Sequence, residues 1–458
     1  KRLPYNGDTA RWQRAQYQCC GLLEQDLTEL CTLAGITSIP RVTVTPSPAA
    51  GEGLGVAGGT GRGVEGRFGS LDAASLIAED EEQSRLGEQC IQVELQNDDP
   101  RSVCKVFLRG WKVEEEIMGV LNKCLPSLGN LKTLNFWSAG LTDSMLPALG
   151  TMVASCPQSL TLEGNPLPEH SFHVLIGASS TLSHLSLRNN CIDDTAAQLL
   201  GQGLSTMTSS NHNLLSLVLS FNCITDVGAE HIAEGLRWNR SLLSLSLGHN
   251  RIGDIGAQKL AEVLQPFKLK HVEVVERRRL QMESQGQPRA VSIGSAWVAG
   301  GAGAVPQFPQ FPVLSEGVTK GPTVLPKGHN GAELSPPHPQ DPSQYAQAVE
   351  QPGPTHPLLE PGWQQDGNVI LPGNRVLLNL NLAYNRITER GLRALLAAVE
   401  GQQQQEGAGG KQGLRRLSVH RNSFPATCTV LAQLQELLQQ RDPLPQLTEE
   451  EEENSLDP

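Results

Sequence analysis

LSHLSLRNNCIDD (Leu182–Asp194), LLSLVLSFNCITD (Leu214–Asp226) and LLSLSLGHNRIGD (Leu242–Asp254) write one pattern three times, and that pattern decides the fold. Apolar residues fall at Leu182, Leu185, Leu187 and Ile192, at Leu214, Leu217, Leu219 and Ile224, and at Leu242, Leu245, Leu247 and Ile252. An asparagine follows each leucine triplet (Asn190, Asn222, Asn250), and the three lie 32 and then 28 residues apart. Each copy ends on an aspartate, Asp194, Asp226 or Asp254. After the second and third come Gly228-Ala229, Ile232-Ala233, Leu236 and Gly256-Ala257, Leu260-Ala261, Leu264. Those apolar pairs recur at helical spacing.

The pattern is a leucine-rich repeat, and each residue type has a physical reason. Its L-x-L centre is a short strand whose alternate leucines point into the core. The asparagine sits where the chain turns inward, so its amide is expected to bond backbone groups that would otherwise be buried unpaired, at about 1–3 kcal/mol each. The helical half returns the chain along the outer face. No unit buries its own apolar stripe, so the units must stack. The expected fold class is α/β, a leucine-rich-repeat solenoid.

Further copies flank the three. Upstream, Val103, Val106, Leu108 and Val113 carry Trp111 in the Asn position, and Leu131, Leu134, Phe136 and Leu141 carry Ala139 there. An irregular, short unit follows at Leu160, Leu162, Asn165 and Leu167, and less regular packing is expected at it. Downstream, Leu377, Leu380, Leu382, Asn385 and Ile387 match fully, and Leu414, Leu417, Val419, Asn422 and Phe424 form the last copy. The structural ladder is therefore Asn165, Asn190, Asn222, Asn250, Asn385 and Asn422. Leu269, Val272 and Val274 resemble one more strand, with Glu276–Met282 continuing as a charged helix.

The remaining segments divide by composition. Residues 1–45 hold one helix, Cys20–Leu33 (Leu22, Leu23, Leu27, Leu30), and 46–90 read as a Gly-rich flexible linker. Residues 91–276 are the first block of repeats, opened by the alternating Ile91, Val93 and Leu95 as a cap. Residues 277–372 read as a Pro/Gly-rich disordered insertion, since half of all the prolines fall between residues 281 and 372 and no period survives there. The ends of that loop must return to adjacent positions, which chain length makes only slowly more costly. Residues 373–440 are the second block and the carboxy-terminal cap, with a helix at Val430–Leu438. Residues 441–458 are an acidic tail carrying Glu449–Glu453.

The net charge of −12 argues against general nucleic-acid binding. Ten cysteines with no CxxC pair imply reduced thiols in an intracellular compartment. Cys191 and Cys223 share a slot because neighbouring units repeat their residue choices. Gly53-Leu54-Gly55-Val56-Ala57-Gly58 spells GxGxxG, but proline before it and glycine after it deny it the strand and helix of a dinucleotide site. The sequon Asn239-Arg240-Ser241 reads as chance. No apolar run is long enough to cross a membrane. The chain starts at Lys1, so a targeting segment before it stays open.

No motif such as HExxH, GxSxG or GxxxxGK[ST] occurs, so no catalytic residue, metal ligand or cofactor is expected, and the chain reads as non-enzymatic. Repeat geometry sharpens the binding reading. The non-leucine strand positions face the concave side, and they include Lys105, Arg109, Lys132, Arg188, Arg415, Arg416 and Arg421, with His184, His249 and His420 beside them and Glu163 as the acidic member. Phe221, His249 and Tyr384 share the position just before the Asn, and Trp137 lies one place earlier in its unit. Such a face is expected to bind an acidic partner protein, steered by charge and anchored by rings.

The DxGAxxLAxxL helices make the array similar to the ribonuclease-inhibitor class of intracellular repeat proteins, an α/β horseshoe with parallel strands inside and helices outside. The segments YQCCGLLEQDLTELC (Tyr17–Cys31), LRGWKVEEEIMGV (Leu108–Val120), LEGNPLPEHS (Leu162–Ser171), LSLRNNCIDD (Leu185–Asp194), VVERRR (Val274–Arg279) and LPGNRVLLNLNL (Leu371–Leu382) resemble the vertebrate leucine-rich repeat-containing protein 71 family. That resemblance implies a cytoplasmic scaffold or adaptor, with a place in the axoneme of motile cilia or flagella, and brings no catalytic residues. Ran GTPase-activating proteins are also arrays of this class with an acidic carboxy-terminal region, which makes a GTPase-activating or other regulatory protein the alternative. The long insertion counts against it.

Overall fold

The computed structural model describes residues 17–45, 89–155, 158–286, 356–404, 413–425 and 427–442. By its contacts the chain divides into two units, Lys1–Gln281 with Pro354–Pro458, and Met282–Gly353; of the second, residues 282–286 are described. The GxGxxG stretch, most of the linker and Glu449–Glu453 lie outside the described residues.

Thirteen strands are described: β1 (Arg41–Val44), β2 (Cys90–Leu95), β3 (Val103–Arg109), β4 (Thr133–Trp137), β5 (Ser159–Thr161), β6 (His184–Ser186), β7 (Ser216–Val218), β8 (Ser244–Ser246), β9 (Phe267–Lys268), β10 (Trp363–Gln365), β11 (Asn368–Leu371), β12 (Asn379–Asn381) and β13 (Arg416–Ser418). Ten of them form one sheet in the order β1-β2-β3-β4-β5-β6-β7-β8-β12-β13. Every neighbouring pair is parallel except β2 with β3. The register aligns one apolar residue per strand, Val106, Leu134, Leu160, Leu185, Leu217, Leu245, Leu380 and Leu417. All but Leu417 are 0% exposed. At about 1.5–3 kcal/mol per buried leucine, that row alone is a large part of the core.

The helices are α1 (Leu23–Ala34), α2 (Glu115–Cys124), α3 (Leu146–Ser155), α4 (Asp194–Leu204), α5 (Asp226–Trp238), α6 (Asp254–Leu264), α7 (His271–Gly286), α8 (Glu389–Gln404) and α9 (Thr429–Arg441). One apolar cluster runs from Leu23, Leu27 and Leu30 of α1 through every repeat to Leu434 and Leu438 of α9. This is an α/β repeat fold. The short unit at Leu160 packs in register, with a 3-10 turn at Ser171–Leu175 in place of a helix and Phe172 buried. Trp111, in an Asn slot, donates its indole N–H to the Cys90 carbonyl at 2.9 Å and so ties the cap strand down instead.

The asparagines bond the preceding repeat. Asn222 Oδ1 accepts from the amides of Asn190 (2.9 Å) and Ile192 (3.0 Å), and its Nδ2 donates to the Leu187 carbonyl at 3.0 Å. Asn250 serves Ile224 N and Leu219 O, Asn385 serves Ile252 N and Leu247 O, and Asn422 serves Ile387 N and Leu382 O. Even Ala139, in an Asn slot, has its amide satisfied by Asn165 Oδ1 of the next unit at 2.8 Å.

A second bridge joins the helix starts. Asp194 accepts from the amides of Thr225 and Gly228, Asp226 from Gly253 and Gly256, and Asp254 from Thr388 and Gly391, at 2.6–3.0 Å. Each carboxylate therefore caps the helix of the following repeat, where orphan N–H groups and the helix dipole favour negative charge. Partial burial pushes the Asp254 carboxyl up, but bonds from Thr388 and Gly391 outweigh it and hold the group below its ordinary value.

A third bridge has no counterpart in the sequence pattern. Asn239 is 0% exposed; its Nδ2 donates to the carbonyls of Leu204 and Asn211, and its Oδ1 accepts from Ser241 and Leu242. Asn211 and Asn374 make the same four-bond set in their units, and Gln402 reaches the equivalent place from α8 to accept from Leu414. The sequon asparagine is thus a buried structural amide.

The expected extra strand at Leu269, Val272 and Val274 is corrected: Val272 and Val274 lie on α7, which starts at His271. Its place on the sheet is taken, because β12 pairs directly with β8 (Leu380↔Leu245). The chain after α6 therefore turns away, and β9 pairs antiparallel with β11 in a separate three-stranded sheet, β10-β11-β9. The expected disordered stretch of 277–372 is also too long at both edges. Its start is helical to Gly286, and residues 356–371 are part of the first unit, with β10 and β11 among them. Trp238, Phe267, Leu269, Leu358 and Leu371 form a second small core there. Arg240 grips Glu360 through Nε (2.6 Å) and Nη2 (3.1 Å), and Arg277 donates to the carbonyls of Leu358 and Glu360. Just after the expected insertion, Asn374 N donates to Val263 O of α6 at 2.8 Å. Residues 287–355 lie outside the described residues.

Two outcomes follow from the bridges. Asn222→Ala leaves buried amides and a carbonyl unsatisfied and will cost about 2–3 kcal/mol in urea unfolding. Asp143 and Asp254 both have carboxyls held below the ordinary 3.8. Their contribution is present above that value and fades as pH falls through their lower folded values. Melting curves from pH 6 to 2 will show Asp254→Asn losing less stability on acidification than the parent chain.

Candidate functional site

Residues flanking each buried strand leucine lie on the opposite face of the sheet. The register lines up Lys105, Thr133, Ser159, His184, Ser216, Ser244, Asn379 and Arg416 as one row across it. The predicted basic residues separate into two ends. Lys105, Arg109 and Lys132 lie at β3 and β4, while Arg415, Arg416 and Arg421 lie at β13, with five strands and Arg188 between.

Part of that charge is already matched. Lys105 Nζ meets Glu94 Oε2 at 2.9 Å, and Arg416 Nε meets Asp442 Oδ2 at 2.6 Å. Neither acidic partner belongs to the repeat pattern, so sequence spacing had no means of pairing them. Glu163 is 9% exposed and accepts from Ser186 Oγ at 2.6 Å, so its charge is spent inside the face. Burial lowers the His184 imidazole below its ordinary value, leaving it neutral at pH 7. Arg109, Lys132 and Arg421 are exposed, and Trp137, paired in register with Arg109, is 43% exposed.

The rings expected from sequence are brought together. Phe221 and His249 stack with centroids 3.9 Å apart and planes 14° apart; His249 and Tyr384 stack at 3.9 Å and 15°. Tyr384 meets His420 edge-on at 5.5 Å, and the Arg188 guanidinium lies 4.3 Å over the Phe221 ring. Five side chains from five successive repeats thus form one line. Trp137 is not part of it.

Backbone geometry sets this line. The slot before each Asn is left-handed in every unit: Gly110 (φ 73°), Ser138 (46°), Gly164 (68°), Asn189 (57°), Phe221 (58°), His249 (53°), Tyr384 (54°) and Arg421 (55°). Amides of these residues donate to the next repeat, as Phe221 N does to Gly248 O, His249 N to Ala383 O and Tyr384 N to His420 O, each at 3.0 Å. The ladder imposes the conformation, and Gly or Asn tolerates it best. Phe and Tyr are rare in this conformation and His less so, and here the ladder holds all three in it.

Among the described residues no group of three or more His, Cys, Asp or Glu is arranged to hold a metal, and no helix is long and apolar enough to cross a membrane. Cys191 is exposed and Cys223 half-buried, both as free thiols.

Four segments match the family model described as Leucine Rich repeat: residues 178–201, 210–233, 239–261 and 373–396. They coincide with the units of β6, β7, β8 and β12 and their helices. The chain is a leucine-rich-repeat protein, and repeats of this kind point to a protein-interaction module. The units of β3, β4, β5 and β13 extend the same register beyond the matched segments.

Because Asn tolerates the left-handed slot, replacing His249 separates strain from stacking. His249→Ala will unfold more easily than His249→Asn by about 0.5–1 kcal/mol, read from urea midpoints.

Proposed function

We propose that this protein is a non-enzymatic scaffold or adaptor whose strand face, the inner side of a horseshoe, holds a segment of an acidic partner protein. The observation that carries the reading is the face itself. Arg109, Lys132 and Arg421 are exposed on it, Glu163 is withdrawn into a hydrogen bond with Ser186, and a line of rings crosses it between its basic ends. Charge steers such an encounter, and centrally placed rings supply hot-spot contacts. The contact residues are Lys105, Arg109, Lys132, Trp137, Arg188, Phe221, His249, Tyr384, Arg415, Arg416, His420 and Arg421. Lys105 and Arg416 act less than their charge suggests, because each is already paired. The resemblance of the inter-repeat segments to the leucine-rich repeat-containing protein 71 family supports a setting in motile cilia or flagella.

Reversing Arg109, Lys132 and Arg421 to Glu tests the reading in multiciliated cells by proximity labelling. The intact chain should label a set of acidic axonemal proteins that the reversed chain loses, and in pull-downs that binding should weaken as salt rises. An unchanged partner set after reversal sinks the proposal.

A further inference from the structure

We infer that the line Arg188, Phe221, His249, Tyr384 and His420 is a recognition rail for an extended, carboxylate-bearing peptide of a partner protein that crosses the strands. This rests on the strand-face reading above and names the part of the face that discriminates.

Stability alone does not account for the rail. Its three central residues occupy a left-handed slot that the same chain fills elsewhere with Gly110, Ser138, Gly164, Asn189 and Arg421, three of these five being the Gly or Asn that tolerate it best. A bulky residue there costs on the order of 1–3 kcal/mol, and a stacked ring pair returns about 0.5–1.5 kcal/mol. Stacking by itself does not repay the upper part of that cost, which recurs at three consecutive repeats.

Their arrangement also selects a ligand. Both faces of His249 are covered, by Phe221 and Tyr384; the second face of Phe221 lies under Arg188, and Tyr384 meets His420 edge-on. A cation or a nucleobase would need an open ring face. With the faces of Phe221 and His249 covered, these half-buried rings can meet a ligand chiefly through their edges. The edge is the positive part of an aromatic quadrupole, so it attracts anions and hydrogen-bond acceptors. Arg188 at one end, and His420 with the exposed Arg421 at the other, extend that polarity. The four steps of the line, 3.9–5.5 Å each, match about five residues of extended chain at ~3.4 Å per residue. Carboxylates on alternate residues would then face the edges together.

Fluorescence anisotropy with the full chain tests this, using a labelled peptide of alternating Glu and Thr and its counterpart with Gln for Glu. The intact protein should bind the Glu peptide and not the Gln peptide. The variant Phe221→Asn/His249→Asn/Tyr384→Asn should bind at least about tenfold more weakly while melting no lower than the parent. Phe221→Tyr and Tyr384→Phe, which keep the rings, should bind as the parent does. If the triple variant unfolds, Tyr384→Asn alone, at about threefold weaker binding, carries the same test. Parent-like binding by the Asn variants, with loss only on reversing Arg109, Lys132 and Arg421, overturns the rail and leaves the face reading standing. Equal binding of the Glu and Gln peptides overturns both.

Discussion

A side-chain amide that bonds the backbone of the repeat before it is the constraint on which the rest of this molecule depends. Each unit must turn sharply after its strand, and the turn carries into a dry interior some amides and carbonyls, such as Ile192 N and Leu187 O, that the asparagine of the next repeat satisfies. Asn222, Asn250, Asn385 and Asn422 each solve this for the preceding unit, with one oxygen accepting and one nitrogen donating. Because the bonds run between units, no repeat is complete alone. Unit length then varies freely, as the ladder spacing of 32 and 28 residues shows, provided the amide arrives at the same height.

The same logic explains how a long excursion is tolerated between two adjacent strands. Leu380 sits on Leu245 as though nothing intervened, because Asn374 re-enters the helix-side ladder on Asn239 and Asn385 re-enters the strand-side ladder on Leu247. Two amides on opposite sides of the unit therefore define the re-entry point. The excursion itself is held at its base by a small core around Trp238 and Phe267 and by the paired Arg240 and Glu360.

Strain and side-chain order meet in the slot before each ladder asparagine. Inter-repeat bonding forces a left-handed backbone there whatever the side chain. Once φ is set, side chains in that slot stand one repeat apart with their planes free to align, and Phe221, His249 and Tyr384 do so. A conformational penalty built into the ladder is thereby turned into preorganised rings.

By itself the sequence determined the repeat, the identity of the ladder asparagines, the buried leucine row and the set of rings sharing one slot, because these depend on residue type at fixed spacing within a unit. Tertiary structure decided what spacing cannot encode. It paired Lys105 with Glu94 and Arg416 with Asp442, partners from outside the repeat pattern. It recruited Gln402 from a helix to do an asparagine's work, and it sent the stretch after Leu264 away from the sheet because β12 already held the strand's place. Each of those outcomes depends on which residue, distant in sequence, lies beside a buried polar group or sheet edge in space, and only the folded chain sets that.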